Sequence, residues 1–141
     1  MKKLFSALFA AVLMPAGLVI VTGGTASADC SPTQYVGCVA TKTRASAPAV
    51  VVKGAKATVC ASVKAKASNA TPSGRITFKV ARNAGGAFFK KTVSYSGGEV
   101  CVKTFRLNKR GGYSVDANFK APDTSIFLNS ADGTGFDVVR P

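Results

Sequence analysis

The sequence predicts an all-β sandwich carried behind a cleavable export leader. Three observations predict it. From Ala49 onward, short runs of alternating apolar and polar residues recur about every 8 to 18 positions. Gly, Pro, Asn, Asp and Ser separate these runs, and no segment after Ala28 combines helical spacing with capping residues.

The leader comes first. Lys2 and Lys3 precede an apolar run from Leu4 to Val21, and a small-residue stretch ends in Ala26-Ser27-Ala28. That is the three-part layout of a secretory signal, with cleavage expected before Asp29. Pro15 and Gly17 interrupt the run and an A-x-A site follows it, which favours cleavage over a retained membrane anchor. Asp29 separates the cut from Cys30, so a free product is expected rather than one lipidated on its first cysteine. Cleavage leaves 113 residues, the size of one domain. It removes two lysines and no acids, lowering the formal charge from +13 to +11.

Residues 29–48 are polar, small and turn-rich, and read as a short looped segment that a Cys30–Cys38 bridge would close. Residues 49–141 read as the sandwich, with seven strands at Val50–Val52, Ala57–Ala65, Arg75–Val80, Phe88–Tyr95, Glu99–Phe105, Gly112–Phe119 and Gly133–Val139. Side chains alternate across a strand, so parity sorts the faces. Val59, Ala61 and Val63 share one face of the second run, while Cys60, Ser62, Lys64 and Lys66 share the other. Ile76, Phe78 and Val80 oppose Arg75, Thr77 and Lys79; Tyr113, Val115, Ala117 and Phe119 oppose Ser114, Asp116, Asn118 and Lys120. The apolar sets are the expected core.

An exported chain meets an oxidising medium, so Cys30, Cys38, Cys60 and Cys101 are expected to form two disulfides. Their spacings of 8, 22 and 41 residues match no C-x-x-C knuckle, and histidine is absent, which argues against zinc.

Three segments carry a family resemblance: Lys53-Gly54-Ala55-Lys56-Ala57-Thr58-Val59, then Pro72–Val80 (PSGRITFKV), then Gly111–Phe119 (GGYSVDANF). In this order they resemble the bacterial immunoglobulin-like domains of secreted actinobacterial proteins, over about Val50 to Val139. The resemblance implies an immunoglobulin-like β-sandwich used for adhesion or structural spacing. It places Tyr113 at the tyrosine corner, with Gly111 two before it and Val115 two after. No tryptophan is present, so the Cys-Trp-Cys pin of antibody domains is absent. In an immunoglobulin topology the second and fifth runs are antiparallel neighbours, which would let the outward-facing Cys60 and Cys101 bridge across the pair and leave Cys30 for Cys38.

Catalysis is not expected. Without histidine neither a Ser-His nor a Cys-His nucleophile can be built. The six acids are scattered one per element, giving no carboxylate pair for glycoside hydrolysis. Asp123, Asp132 and Asp137 are the only candidates for calcium, but their basic neighbours favour solvated loop acids. No cofactor is expected, and the paired glycines at 85–86, 97–98 and 111–112 read as turns because none opens a helix.

Basic residues are the strong compositional signal. Lys64, Lys66, Arg75, Lys79 and Lys103 point outward by parity and are the candidate anion-binding face, on one or both sheets. Lysines on strands also protect edges and add solubility, and because +11 exceeds what solubility alone needs the two roles stand side by side. The expected partners are anionic cell-wall polymers or a surface protein, bound by a secreted monomer with no integral membrane segment after cleavage. Sequence-specific nucleic acid is not expected, because no helix is available for a major groove. A small secreted protease inhibitor or a cationic antimicrobial effector is the alternative from another class. Ile126-Phe127-Leu128 is expected either to cap the sandwich end or to form an exposed contact patch.

Overall fold

The computed structural model describes residues 37–86 and 88–141. The leader expected over residues 1–28 and the cysteine at position 30 lie outside the described residues. Eight strands follow in order: β1 (Thr41–Ser46), β2 (Val50–Val52), β3 (Thr58–Ala65), β4 (Gly74–Arg82), β5 (Phe88–Tyr95), β6 (Glu99–Lys103), β7 (Gly111–Lys120) and β8 (Ser130–Val139). No helix occurs among the described residues. The strands form two sheets, one of three strands in the order β1-β3-β6 and one of five in the order β2-β8-β7-β4-β5. All pairings are antiparallel except β2 with β8, which is parallel.

Alternation sets the core as parity requires. Val59, Ala61 and Val63 of β3 and Val102 of β6 face Ile76, Phe78 and Val80 of β4 and Tyr113, Val115, Ala117 and Phe119 of β7, all buried. Each large apolar side chain in this layer stabilises by roughly 1.5–3 kcal/mol. Aromatic contacts reinforce it: the Tyr113 ring stacks on Phe136 with centroids 5.3 Å apart, and Tyr95 meets Phe119 edge-on at 5.9 Å. The expected turn glycines at 85, 86, 97 and 98 adopt positive φ, which a side chain would resist, whereas Gly111 and Gly112, also expected in a turn, begin β7, and of these two only Gly111 has positive φ.

One expectation is corrected here. Residues 41–46, read from sequence as loop, form β1, which pairs along its length with β3 from Thr41↔Ala65 to Ser46↔Cys60. The strand count is therefore eight, not seven. The inward set of β1 is Thr41, Thr43 and Ala45; the Ala45 side chain packs against the apolar core, while the two threonines and the Ala45 N–H meet the inward Ser130 and Asp132 of β8 through hydrogen bonds. Thr41 Oγ1 lies 2.7 Å from both the Leu128 carbonyl and Ser130 Oγ, Thr43 Oγ1 lies 2.7 Å from Ser130 Oγ, and the Asp132 carboxylate accepts the Ala45 N–H at 2.8 Å.

Each end of the sandwich is closed differently. At the end where β7 begins, Leu107 is fully buried, its N–H donates to the Ala55 carbonyl and its carbonyl accepts from Gly54, both at 2.9 Å. This clamps the β6–β7 connection onto the β2–β3 turn. At the opposite end the Val39 N–H donates to the Ile126 carbonyl at 2.7 Å and the Leu128 N–H to the Val39 carbonyl at 3.0 Å. Phe127 packs half-buried against the core while Ile126 is 49% exposed.

Candidate functional site

The outer face of the three-stranded sheet is organised around a disulfide. Cys60 of β3 stands opposite Cys101 of β6, and the two are bonded with Cα atoms 4.0 Å apart. That separation belongs to a narrow, non-hydrogen-bonded antiparallel pair, where side chains on one face approach most closely. Cys38 is also disulfide-bonded, and no free cysteine occurs among the described residues. The Glu99 carboxylate lies within 4.8 Å of both sulfurs of the Cys60–Cys101 bridge, but sulfurs joined to each other are not thiolate ligands.

Cations surround the bridge. Lys42 of β1 faces Lys64 of β3 directly, Arg44 faces Ser62, and Lys103 of β6 faces Thr58, with Lys66 just beyond β3. All five cations are exposed, and Glu99 is the one acid on this face among the described residues. Like charges placed directly opposite across a strand pair destabilise it, so the Lys42–Lys64 arrangement works against folding.

The outer face of the five-stranded sheet carries a second basic group. Lys79 of β4 faces Lys90 of β5, and Arg75 faces both Ser94 of β5 and Lys120 of β7. Between these rows the Thr77 and Thr92 hydroxyls are hydrogen-bonded at 2.9 Å. Asp116 of β7 flanks Lys79, and Asp123 lies 3.8 Å from the Lys120 ammonium.

The five residues expected from sequence to give a positive face on one or both sheets divide between the two. Lys64, Lys66 and Lys103 lie on the outside of one sheet and Arg75 and Lys79 on the outside of the other. Parity distinguishes inside from outside but not one outside from the other, which depends on strand order. Lys42, Arg44, Lys90 and Lys120, none of them in the candidate anion-binding set, join these faces. The strand register supplies them.

A third concentration of charge sits at the end closed by Leu107. Lys53 and Lys56 occupy the β2–β3 turn, Arg82 ends β4, and Arg106, Lys109 and Arg110 lie in the β6–β7 connection. Arg140 follows β8 at the same end. The Arg82 guanidinium donates to the Arg110 carbonyl at 3.0 Å, and the Tyr113 hydroxyl donates to the Lys109 carbonyl at 2.9 Å. Those bonds tie the basic connection to β4 and to the core. Beside it an open notch of about 320 Å³ lies between Phe88, Phe105 and Lys109. A larger groove of about 520 Å³ lies between the end of β3, residues 68–72 and Tyr95.

Seventeen lysines and arginines fall among the described residues, and one ion pair, Lys120–Asp123, is formed among them. Asp123 is thus engaged by a cation, and Asp132 by the β1 backbone. No helix among the described residues is long and apolar enough to cross a membrane.

No family model matches the chain, and no curated protein does. Among solved structures, a conjugative transposon lipoprotein from Bacteroides eggerthii is similar at a TM-score of 0.42 and 10% identity, over 68% of this chain and 95% of that one.

Proposed function

We propose that this chain is a secreted, monomeric immunoglobulin-like binding module, not an enzyme, that holds anionic polymers of the cell surface on its lysine-rich sheet faces. The single observation carrying the reading is the uncompensated charge: seventeen cations among the described residues with one ion pair between them. Unpaired cations on opposed faces create a positive field that concentrates polyanions. The direct Lys42–Lys64 opposition, costly to the fold, is what a surface kept for binding charge would retain.

The immunoglobulin-like reading is supported by strand order. The first, third and sixth strands share one sheet, and the fourth, seventh and eighth share the other, matching the A, B, E and C, F, G strands of such domains. The Tyr113 hydroxyl bond to a backbone carbonyl four residues upstream supports the tyrosine-corner role. Export is supported by the disulfide, since such bonds persist in oxidising compartments.

The test is retention of the protein on immobilised poly(glycerol phosphate) across a salt series, with the Lys42→Ala/Lys64→Ala/Lys103→Ala variant beside it. Retention that weakens steeply with salt and falls in the variant is expected. Equal retention of both proteins overturns the reading. Inhibition of a secreted protease without polymer retention would favour the alternative.

A further inference from the structure

Apolar and cationic residues converge on one end of the sandwich. Six large apolar side chains are exposed among the described residues, and five of them, Val50, Val52, Phe88, Phe105 and Val139, lie at the end where β7 begins. Only Ile126 lies at the other. Phe88, 63% exposed, stands on β5 beside Ala81, while Val52 pairs with Val139 at the opposite edge of the same sheet. The span between them is about four strand spacings, roughly 19 Å. The same end holds the cations of the β2–β3 turn and the β6–β7 connection, and Asp137 is its one acid among the described residues.

We propose that this end docks on the surface of an anionic lipid bilayer, with Phe88 and Phe105 entering the headgroup layer and the surrounding lysines and arginines meeting lipid phosphates. Exposed aromatic and aliphatic side chains ringed by cations are the chemistry of an interfacial contact, in which buried apolar area adds to attraction for anionic lipid. A single soluble polymer chain tracks a line of charge and offers nothing to the phenylalanines. A bilayer surface meets the whole breadth of the end and supplies an apolar layer behind the phosphates. The scaffold is already rigid, because Leu107 and the Arg82–Arg110 bond hold the connection in place. Docking therefore needs no refolding of that loop. The cluster is centred on this end of the sandwich, with Phe88 two positions from Lys90 where the end meets the outer face of the five-stranded sheet.

The natural chain contains no tryptophan, so Phe88→Trp installs a lone indole reporter. With phosphatidylglycerol vesicles, the protein is expected to co-sediment and the Trp emission to shift to the blue and be quenched by lipids brominated on the acyl chain. Phosphatidylcholine vesicles are expected to give neither. Arg106→Ala/Lys109→Ala/Arg110→Ala is expected to weaken vesicle binding about a hundredfold, since each cation near the surface contributes roughly a fivefold factor. Phe88→Ser is expected to weaken it about tenfold, while Ile126→Ser, at the far end, leaves it unchanged. Far-ultraviolet spectra establish that each variant is folded. Co-sedimentation without an indole shift, or loss of vesicle binding in Ile126→Ser equal to that in Phe88→Ser, overturns the proposal. So does retention on poly(glycerol phosphate) with no binding to phosphatidylglycerol vesicles, a result that leaves the sheet-face reading intact.

Discussion

Tyr95 on β5 reaches across the sandwich to satisfy the backbone of Val63 on β3. Its hydroxyl accepts the Val63 N–H at 2.9 Å and lies 2.9 Å from the Val63 carbonyl, with the Gly98 carbonyl at 3.0 Å. The β3–β6 ladder ends at Ser62↔Glu99, so β6 offers Val63 no partner. One side-chain oxygen replaces the missing strand and joins the two sheets.

Tyr95→Phe should therefore cost more than an ordinary hydrogen bond. It leaves the Val63 backbone groups buried without their partner, a penalty of about 1–3 kcal/mol. The packing of the ring on Phe119 is kept, which isolates the hydroxyl. Denaturant unfolding monitored by circular dichroism checks this, and an unchanged midpoint would mean that water substitutes for the hydroxyl.

Removing the Cys60–Cys101 bridge is expected to cost about 4 kcal/mol, because it frees a closed loop spanning some forty residues in the unfolded chain. The double variant Cys60→Ala/Cys101→Ala is the form to measure, since a single substitution leaves a reactive thiol. A drop in midpoint with an unchanged far-ultraviolet spectrum is the expected result. A loss below about 1 kcal/mol would show that the register of β3 and β6 constrains the chain without the covalent bond.

The polar seam between β1 and β8 explains what the sequence concealed. Strand reading depends on apolar residues at every second position, and Val59, Ala61 and Val63 or Ile76, Phe78 and Val80 display that pattern plainly. In β1 the inward positions are Thr41 and Thr43, polar residues buried to 6% and 2% exposure. Their partners Ser130 and Asp132 begin β8, which sequence reading started only at Gly133. Each half looks like loop until the other is known. The cations were legible one by one, but their grouping was not, because the sheet to which an outward residue belongs follows from long-range pairing.

Asp132→Ala is expected to loosen that seam by about 1–2 kcal/mol, the cost of leaving the Ala45 N–H without its charged acceptor. The damage should be local. Amide hydrogen exchange would show protection falling along Thr43–Ser46 while β4 and β7 keep theirs. A uniform loss across all strands would mean that β1 unfolds only with the whole domain.

Lys64→Glu separates folding from binding at the three-stranded face. In the native chain Lys64 faces Lys42 across the β1–β3 ladder, so reversing one charge exchanges a repulsive pair for an attractive one. The variant should melt slightly higher than the parent. Its retention on poly(glycerol phosphate) should fall, and the dependence on salt should become shallower because fewer cations meet the polymer. Opposite movement of Tm and affinity would identify Lys64 as a residue held against the interest of the fold for the sake of charge. If affinity stays constant while Tm rises, Lys64 serves the surface in some other way and takes no part in holding the polymer.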